Sequence, residues 1–167
     1  MIFRKTEEKD KKQVISLWRE AQAYFREQEI DQWQDGYPDE ACLDLDVAKG
    51  SSYVLEDAGR VIATAFISFD GEPDYLHIEG KWITDGPYGV IHRVAVAGEA
   101  KGRGLAGRLV EEAVSMCRER GVQGLRVDTH QDNRSMRRML TKNGFTYCGI
   151  IHLTRDGAPR VAYERLI

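Results

Sequence analysis

One segment restricts the fold of this 167-residue chain more than any other. Val94-Ala95-Val96 runs through Gly98, Gly102, Gly104 and Gly107 into an amphipathic stretch marked by Leu105, Leu109, Val110, Ala113, Val114 and Cys117. A strand that passes through a small-residue turn into a long helix calls for a sheet with helices covering it. Glycine lets the backbone approach a ligand closely, and the N–H groups at the helix start, aided by its dipole, suit a phosphate or pyrophosphate. Lys101, Arg103 and Arg108 reinforce that preference for an anion.

The flanking patterns supply the rest of the sheet and its cover. Ile2 to Thr6 reads as a first strand, and Val14, Trp18, Ala21 and Phe25 recur at helical spacing within a helix from about Glu8 to Gln28. After an aromatic, turn-rich loop, Asp39 is placed to cap a short helix through Ala48. Ser52 to Glu56 and Val61 to Phe69 flank Asp57-Ala58-Gly59-Arg60, a hairpin signal. A long connection from Gly71 to Gly86 precedes the strand Tyr88 to Val96, and the helix after the glycine turn ends near Gly121. Gly124 to Asp128 is a short strand, Asn133 opens a helix that Asn143-Gly144 ends, and Phe145 to Leu153 and Arg160 to Leu166 pair as the last strands.

A chain of this length, with 42% hydrophobic and 31% charged residues, fits a single domain over residues 1–167. Its net charge of −3 comes from interspersed signs, which disfavours nucleic acid and anionic membranes as partners. No apolar run approaches membrane-spanning length and no secretory signal opens the chain, so a cytoplasmic location is expected. Cys42, Cys117 and Cys148 are odd in number and lack CxxC spacing, so they are expected as free thiols, with no metal site. Cys117 lies on the apolar stripe of its helix and reads as a small core residue.

The same glycines also spell Gly102-x-Gly104-x-x-Gly107, a dinucleotide fingerprint, with Asp128 ending the next strand. In a Rossmann turn the glycines follow the strand almost at once. Here Ala97 to Lys101 intervene, the basic Lys101 and Arg103 stand where a diphosphate would lie, and the motif comes late in the chain.

Lys101-Gly102-Arg103-Gly104-Leu105-Ala106 resembles the acetyl-CoA signature of the GNAT N-acetyltransferase superfamily, Gln/Arg-x-x-Gly-x-Gly/Ala, with Lys in the first position. The Asn-led segment from Asn133 to Lys142-Asn143-Gly144-Phe145 is similar to the family's second signature, and Asp128-Thr129-His130 with Gln32-Trp33-x-x-Gly36-Tyr37-Pro38 resembles a bacterial-type GNAT subgroup. The resemblance implies a mixed α+β acyl-CoA N-acyltransferase fold: a central, mostly antiparallel seven-stranded sheet flanked by about four helices. It implies acetyl-CoA as cofactor, with the backbone of Val94, Ala95 and Val96 on the pantetheine arm and Lys101 to Ala106 on the pyrophosphate. Asn133, Met136, Met139 and Lys142 complete the implied cofactor contacts, although Asn133 reads equally as a helix cap and the methionines as core.

Acetylating an amine requires removal of its proton, polarisation of the thioester carbonyl and protonation of the departing thiolate. The resemblance implies direct transfer in a ternary complex, with no enzyme nucleophile. An imidazole ordinarily titrates near neutrality, so His92 is the candidate base and Glu79 the alternative. The strand glutamate of many relatives falls at Val90, which removes that form of the mechanism. The Val94 N–H is the implied carbonyl polariser, while Leu140 stands where many relatives carry the acidic tyrosine, leaving Thr141, Tyr147 or water for that step. Gln32, Trp33, Tyr37, Tyr75, Trp82 and His130 are candidate acceptor contacts for a small-molecule or peptide amine, with Glu79 as its acidic partner. A homodimer is expected by analogy only. The alternative, favoured by Leu140, is a non-catalytic acyl-CoA-binding sensor or recruitment module.

Overall fold

The computed structural model describes residues 1–167. The patterned segments become eight strands and four α-helices: β1 (Ile2–Lys5), α1 (Lys11–Glu27), α2 (Glu40–Ala48), β2 (Ser52–Asp57), β3 (Arg60–Ser68), β4 (Glu79–Gly80), β5 (Tyr88–Val96), α3 (Leu105–Glu119), β6 (Gly124–Thr129), α4 (Arg134–Lys142), β7 (Thr146–His152) and β8 (Pro159–Leu166). The chain gathers into two units, Met1–Ile67 with His92–Leu109 and Ser68–Ile91 with Val110–Ile167, and β5 and α3 each contribute to both.

In the first unit the strands follow the order β1-β2-β3-β5. The β2–β3 hairpin turns at Ala58 and Gly59, whose φ values of 49° and 80° match the twist of the strands they join. Helix α1 buries Val14, Leu17, Trp18 and Phe25, the spacing of one helical face. The expected start of α1 at Glu8 is instead a 3-10 turn, Glu8–Asp10, drawn tight because the Asp10 carboxylate accepts the Glu7 N–H and two Arg4 donors. Asp39 does cap α2, accepting the Cys42 N–H at 2.9 Å.

The second unit carries β5-β6-β8-β7-β4. Tyr88 to Val90 pair in parallel with Gly124 to Arg126, and α3 supplies the crossover that a parallel pair needs. Strands β6, β8, β7 and β4 then pair antiparallel. Tyr75, Trp82, Val90, Cys148, Ile151 and Ala162 form one buried cluster of this unit.

The sheet therefore has eight strands where the sequence predicts seven. The extra one, β4, lies inside the expected long connection and is only Glu79–Gly80 against Gly149–Ile150. Its cause is two glycines facing each other: a β-carbon on Gly80 would collide with the Cys148 carbonyl, and one on Gly149 with that of Glu79. No hydrophobic period announces so short a pairing.

A buried ion pair fixes the chain just before β5. Glu164, fully buried on β8, accepts the N–H groups of Ile83 and Thr84, the Thr84 hydroxyl and Arg126 Nε at 3.1 Å. The Arg126 guanidinium lies between the rings of Trp82 and Tyr88, 4.3 and 3.9 Å from their centroids. Removing one partner leaves the other charge buried and uncompensated, so Glu164→Ala will lower the free energy of unfolding by about 3–5 kcal/mol. In parallel urea titrations, Glu79→Ala, at a side chain 73% exposed, will change it by no more than about 0.5 kcal/mol.

Candidate active site

The glycine turn is built by its backbone. The Ala97 N–H reaches the Ile62 carbonyl at 2.9 Å, a short 3-10 turn follows over Gly98–Ala100, and Gly102 and Gly104 adopt φ values of 79° and 73° immediately before α3 begins. A β-carbon at either glycine would meet nothing within 4 Å, so conformation and not space demands glycine here. Two left-handed residues turn the chain sharply just before α3, whose first N–H groups have no acceptor within the helix.

Side chains of the first unit brace this turn. Glu20 accepts the Gly98 N–H at 2.9 Å, Glu99 pairs with Arg60 at 2.7 Å, Arg103 with Asp57 at 3.3 Å, and the Lys101 ammonium lies 4.5 Å from the Tyr24 ring centroid. Lys101, Gly102, Arg103 and Gly104 are all exposed, and Leu105 turns inward.

Strand β5 carries the candidate chemistry in consecutive residues. His92 is half-buried and stacks on Phe66 with centroids 5.9 Å apart and planes 16° apart. Arg93 holds a φ of 51°, which costs a non-glycine residue about 1–2 kcal/mol. Val94 and Val96 are half-buried and Ala95 is buried. Arg93 Nε and Nη2 grip both oxygens of Asp46 at 3.0 and 2.8 Å, Nη1 donates to the Tyr37 hydroxyl at 2.6 Å, and the guanidinium sits 4.3 Å from the Phe66 centroid. Burial pushes the Asp46 carboxyl above its usual range while Arg93 pulls it back. Trp33, with φ 59°, packs edge-on against Phe25, and Gln32 is half-buried beside it.

In the second unit, Tyr75 and Trp82 belong to the core cluster. The Tyr75 hydroxyl donates to Asp128 at 2.6 Å, and burial, followed by the Asp128 charge, pushes that phenol well above its ordinary value. Glu79 is exposed and pairs with His152 at 3.3 Å. His130 Nδ1 accepts the Asp132 N–H, which sets the neutral ring's proton on Nε2. Asn133 is buried and caps α4: its oxygen accepts the Met136 N–H at 3.1 Å and its amide donates to the Thr129 hydroxyl. Met136 and Met139 are half-buried, Lys142 is exposed in the last turn, and Leu140 is fully buried. Arg134, Arg137, Arg138 and Lys142 make the outer face of α4 strongly cationic.

Burial raises the Cys117 thiol to about 11 and also pushes the Cys148 thiol up, so neither is an activated nucleophile. All three cysteines are free thiols.

Sequence reasoning missed Arg93 and Asp46, and the signals were present. Arg93 interrupts an apolar strand, Val90-Ile91-His92-Arg93-Val94-Ala95-Val96, and Asp46 sits three residues after the buried Leu43 on α2.

The profile of the Acetyltransferase (GNAT) family matches residues 15–145, and the chain belongs to that family. A GNAT-family acetyltransferase from Streptococcus agalactiae superimposes with a TM-score of 0.89 at 32% identity, covering 99% of this chain and 95% of that one. A Listeria monocytogenes GNAT-family acetyltransferase shares the fold at TM-score 0.76 and 18% identity, over 99% and 94% of the two chains. N-acetylglutamate synthase from Neisseria gonorrhoeae, solved with coenzyme A and N-acetyl-glutamate, gives 0.66 at 17% identity, over 99% of this chain and 34% of that one. No curated protein matches the sequence. The protein is thus an acyltransferase that uses acetyl-CoA.

Iodoacetamide labelling of the folded protein at pH 8, followed by mass spectrometry, will modify half-buried Cys42 and spare Cys117 until denaturant is added. Gly104→Val forces a β-branched residue into φ 73° and will weaken coenzyme A binding by about tenfold or more in calorimetry.

Proposed function

We propose that this acyltransferase moves the acetyl group of acetyl-CoA to a primary amine of a small molecule or peptide, by direct transfer in a ternary complex. The reading is carried by the turn Lys101–Ala106, whose left-handed Gly102 and Gly104 present the first N–H groups of α3 to an anion in a chain of the GNAT family. When bound, acetyl-CoA supplies an activated thioester. In this reading Lys101, Gly102, Arg103, Gly104, Leu105 and Ala106 hold its diphosphate, and the backbone of Val94, Ala95 and Val96 holds the pantetheine arm. Asn133, Met136, Met139 and Lys142 are the candidate contacts of the second unit. The capping bonds of Asn133 fix its side chain, so its share falls to whatever hydrogen-bonding capacity those bonds leave.

His92 takes the proton from the incoming ammonium, because a half-buried imidazole held flat on Phe66 is oriented and its unprotonated ring nitrogen can accept one. Glu79 is the alternative base, though its carboxylate is exposed and shared with His152. The Val94 N–H offers a backbone donor to an acyl oxygen. Leu140 has no proton to give, so this reading assigns thiolate protonation to no residue at that position. Gln32, Trp33 and Tyr37, half-buried in the first unit, are the proposed acceptor contacts, whereas Tyr75 and Trp82 are core residues of the second unit and His130 is tied into its own loop by the Asp132 N–H. No helix is long and apolar enough to cross a membrane.

Calorimetry will detect acetyl-CoA binding, and a panel of primary amines will give thiol release above the hydrolysis background. Binding without thiol release on any amine would replace transfer with a sensor role. His92→Ala will lower kcat at pH 7 by about 10²–10⁴-fold while leaving coenzyme A affinity intact; an unchanged kcat would hand the proton step to Glu79.

A further inference from the structure

The residue between the proposed base and the proposed carbonyl donor has the least favourable backbone of β5. In a regular strand, residues 92 and 94 share one face and residue 93 takes the other, but a φ of 51° at Arg93 breaks that alternation. A long, charged residue persists in the left-handed region only where its surroundings over-determine it. Every polar arm of Arg93 is spoken for: Nε and Nη2 by Asp46 on α2, Nη1 by the Tyr37 hydroxyl in the loop before it. The guanidinium plane rests on Phe66, and the side chain is only 11% exposed, against 9% for Asp46. The same Phe66 ring carries His92. One aromatic of β3 thus ties the anchor to the imidazole, and one peptide joins the anchor to the Val94 N–H.

We propose that Arg93 is a positioning residue: its two-point pair with Asp46, its bond to Tyr37 and its seat on Phe66 lock the reversed backbone that aims the His92 ring and the Val94 N–H. Glycine at 93 would reach the same φ without strain yet hold nothing, so the site would sample other orientations. Lysine would offer a point charge in place of a fork. Asparagine at 46 keeps the shape of the anchor but loses the charge and one acceptor. The inference rests on the transfer reading for its catalytic consequence, whereas its conformational content stands apart from it.

The test compares Arg93→Gly, Arg93→Lys and Asp46→Asn with the parent protein by steady-state kinetics on the best amine of the panel and by ¹⁵N–¹H spectra without substrate. Arg93→Gly will lower kcat roughly 10²-fold while the KM for acetyl-CoA stays within about threefold, since orientation and not affinity is lost. Arg93→Lys will recover little of that loss, and Asp46→Asn will fall between. In the spectra, the His92 and Val94 amide resonances will move in Asp46→Asn while those of Gly102 and Gly104 stay in place. A kcat within about twofold of the parent in both Arg93→Gly and Asp46→Asn, with His92 and Val94 resonances unmoved, overturns the proposal. If Arg93→Gly does not fold, Asp46→Asn decides by the same limits. If the parent transfers no acetyl group to any amine, the transfer reading fails, and the resonances alone decide the positioning role.

Discussion

The grip of Arg93 on Asp46 is the interaction on which the candidate chemistry depends. A guanidinium fork and a carboxylate meet two oxygens to two nitrogens, each largely removed from water, and neither charge would tolerate that burial without the other. The pair joins α2 to a strand residue whose backbone is otherwise unfavourable, and that residue separates His92 from Val94. Strand β5 pairs regularly with β6 over Tyr88 to Val90 and takes a positive φ at Arg93 further along.

The same principle governs the glycine turn and the chain ahead of β5. At the turn, conformation comes from Gly102 and Gly104, while Glu20 accepts the Gly98 N–H and Tyr24, Asp57 and Arg60 hold the surrounding side chains. Ahead of β5, Glu164 gathers Ile83, Thr84 and Arg126, and two aromatic rings enclose the cation. In each place a buried or braced charge orders a segment that has no hydrophobic period of its own. Cooperative satisfaction of every donor and acceptor is what makes such burial tolerable.

Much of this was legible in the order of residues. The α1 stripe of Val14, Trp18 and Phe25, the hairpin at Ala58-Gly59, the cap at Asp39 and the bounds of β5 all follow from local period and turn chemistry, although the expected Ala21 is only half-buried and Leu17 fills the face instead. The 3-10 entry to α1 did not follow, because it depends on Arg4 gripping Asp10 while also holding Glu56 of a distant strand. Strand β4 was invisible because two residues carry no alternation, and only the facing glycines permit it. Tyr75 and Trp82 read as open aromatics of a long connection, yet they are core, since the connection folds back on Val90, Ile151 and Ala162.

By itself the sequence determined the class of fold, the family and the glycine turn, because strand period, helix period and a left-handed glycine are each set by neighbours a few residues apart. Tertiary structure alone decided which charges are buried and what they hold. Asp46 and Arg93 are 47 residues apart, and Arg126 and Glu164 are 38 apart. The energy that makes such a pair matter, removal of both charges from water at hydrogen-bonding distance, exists only once the chain has folded.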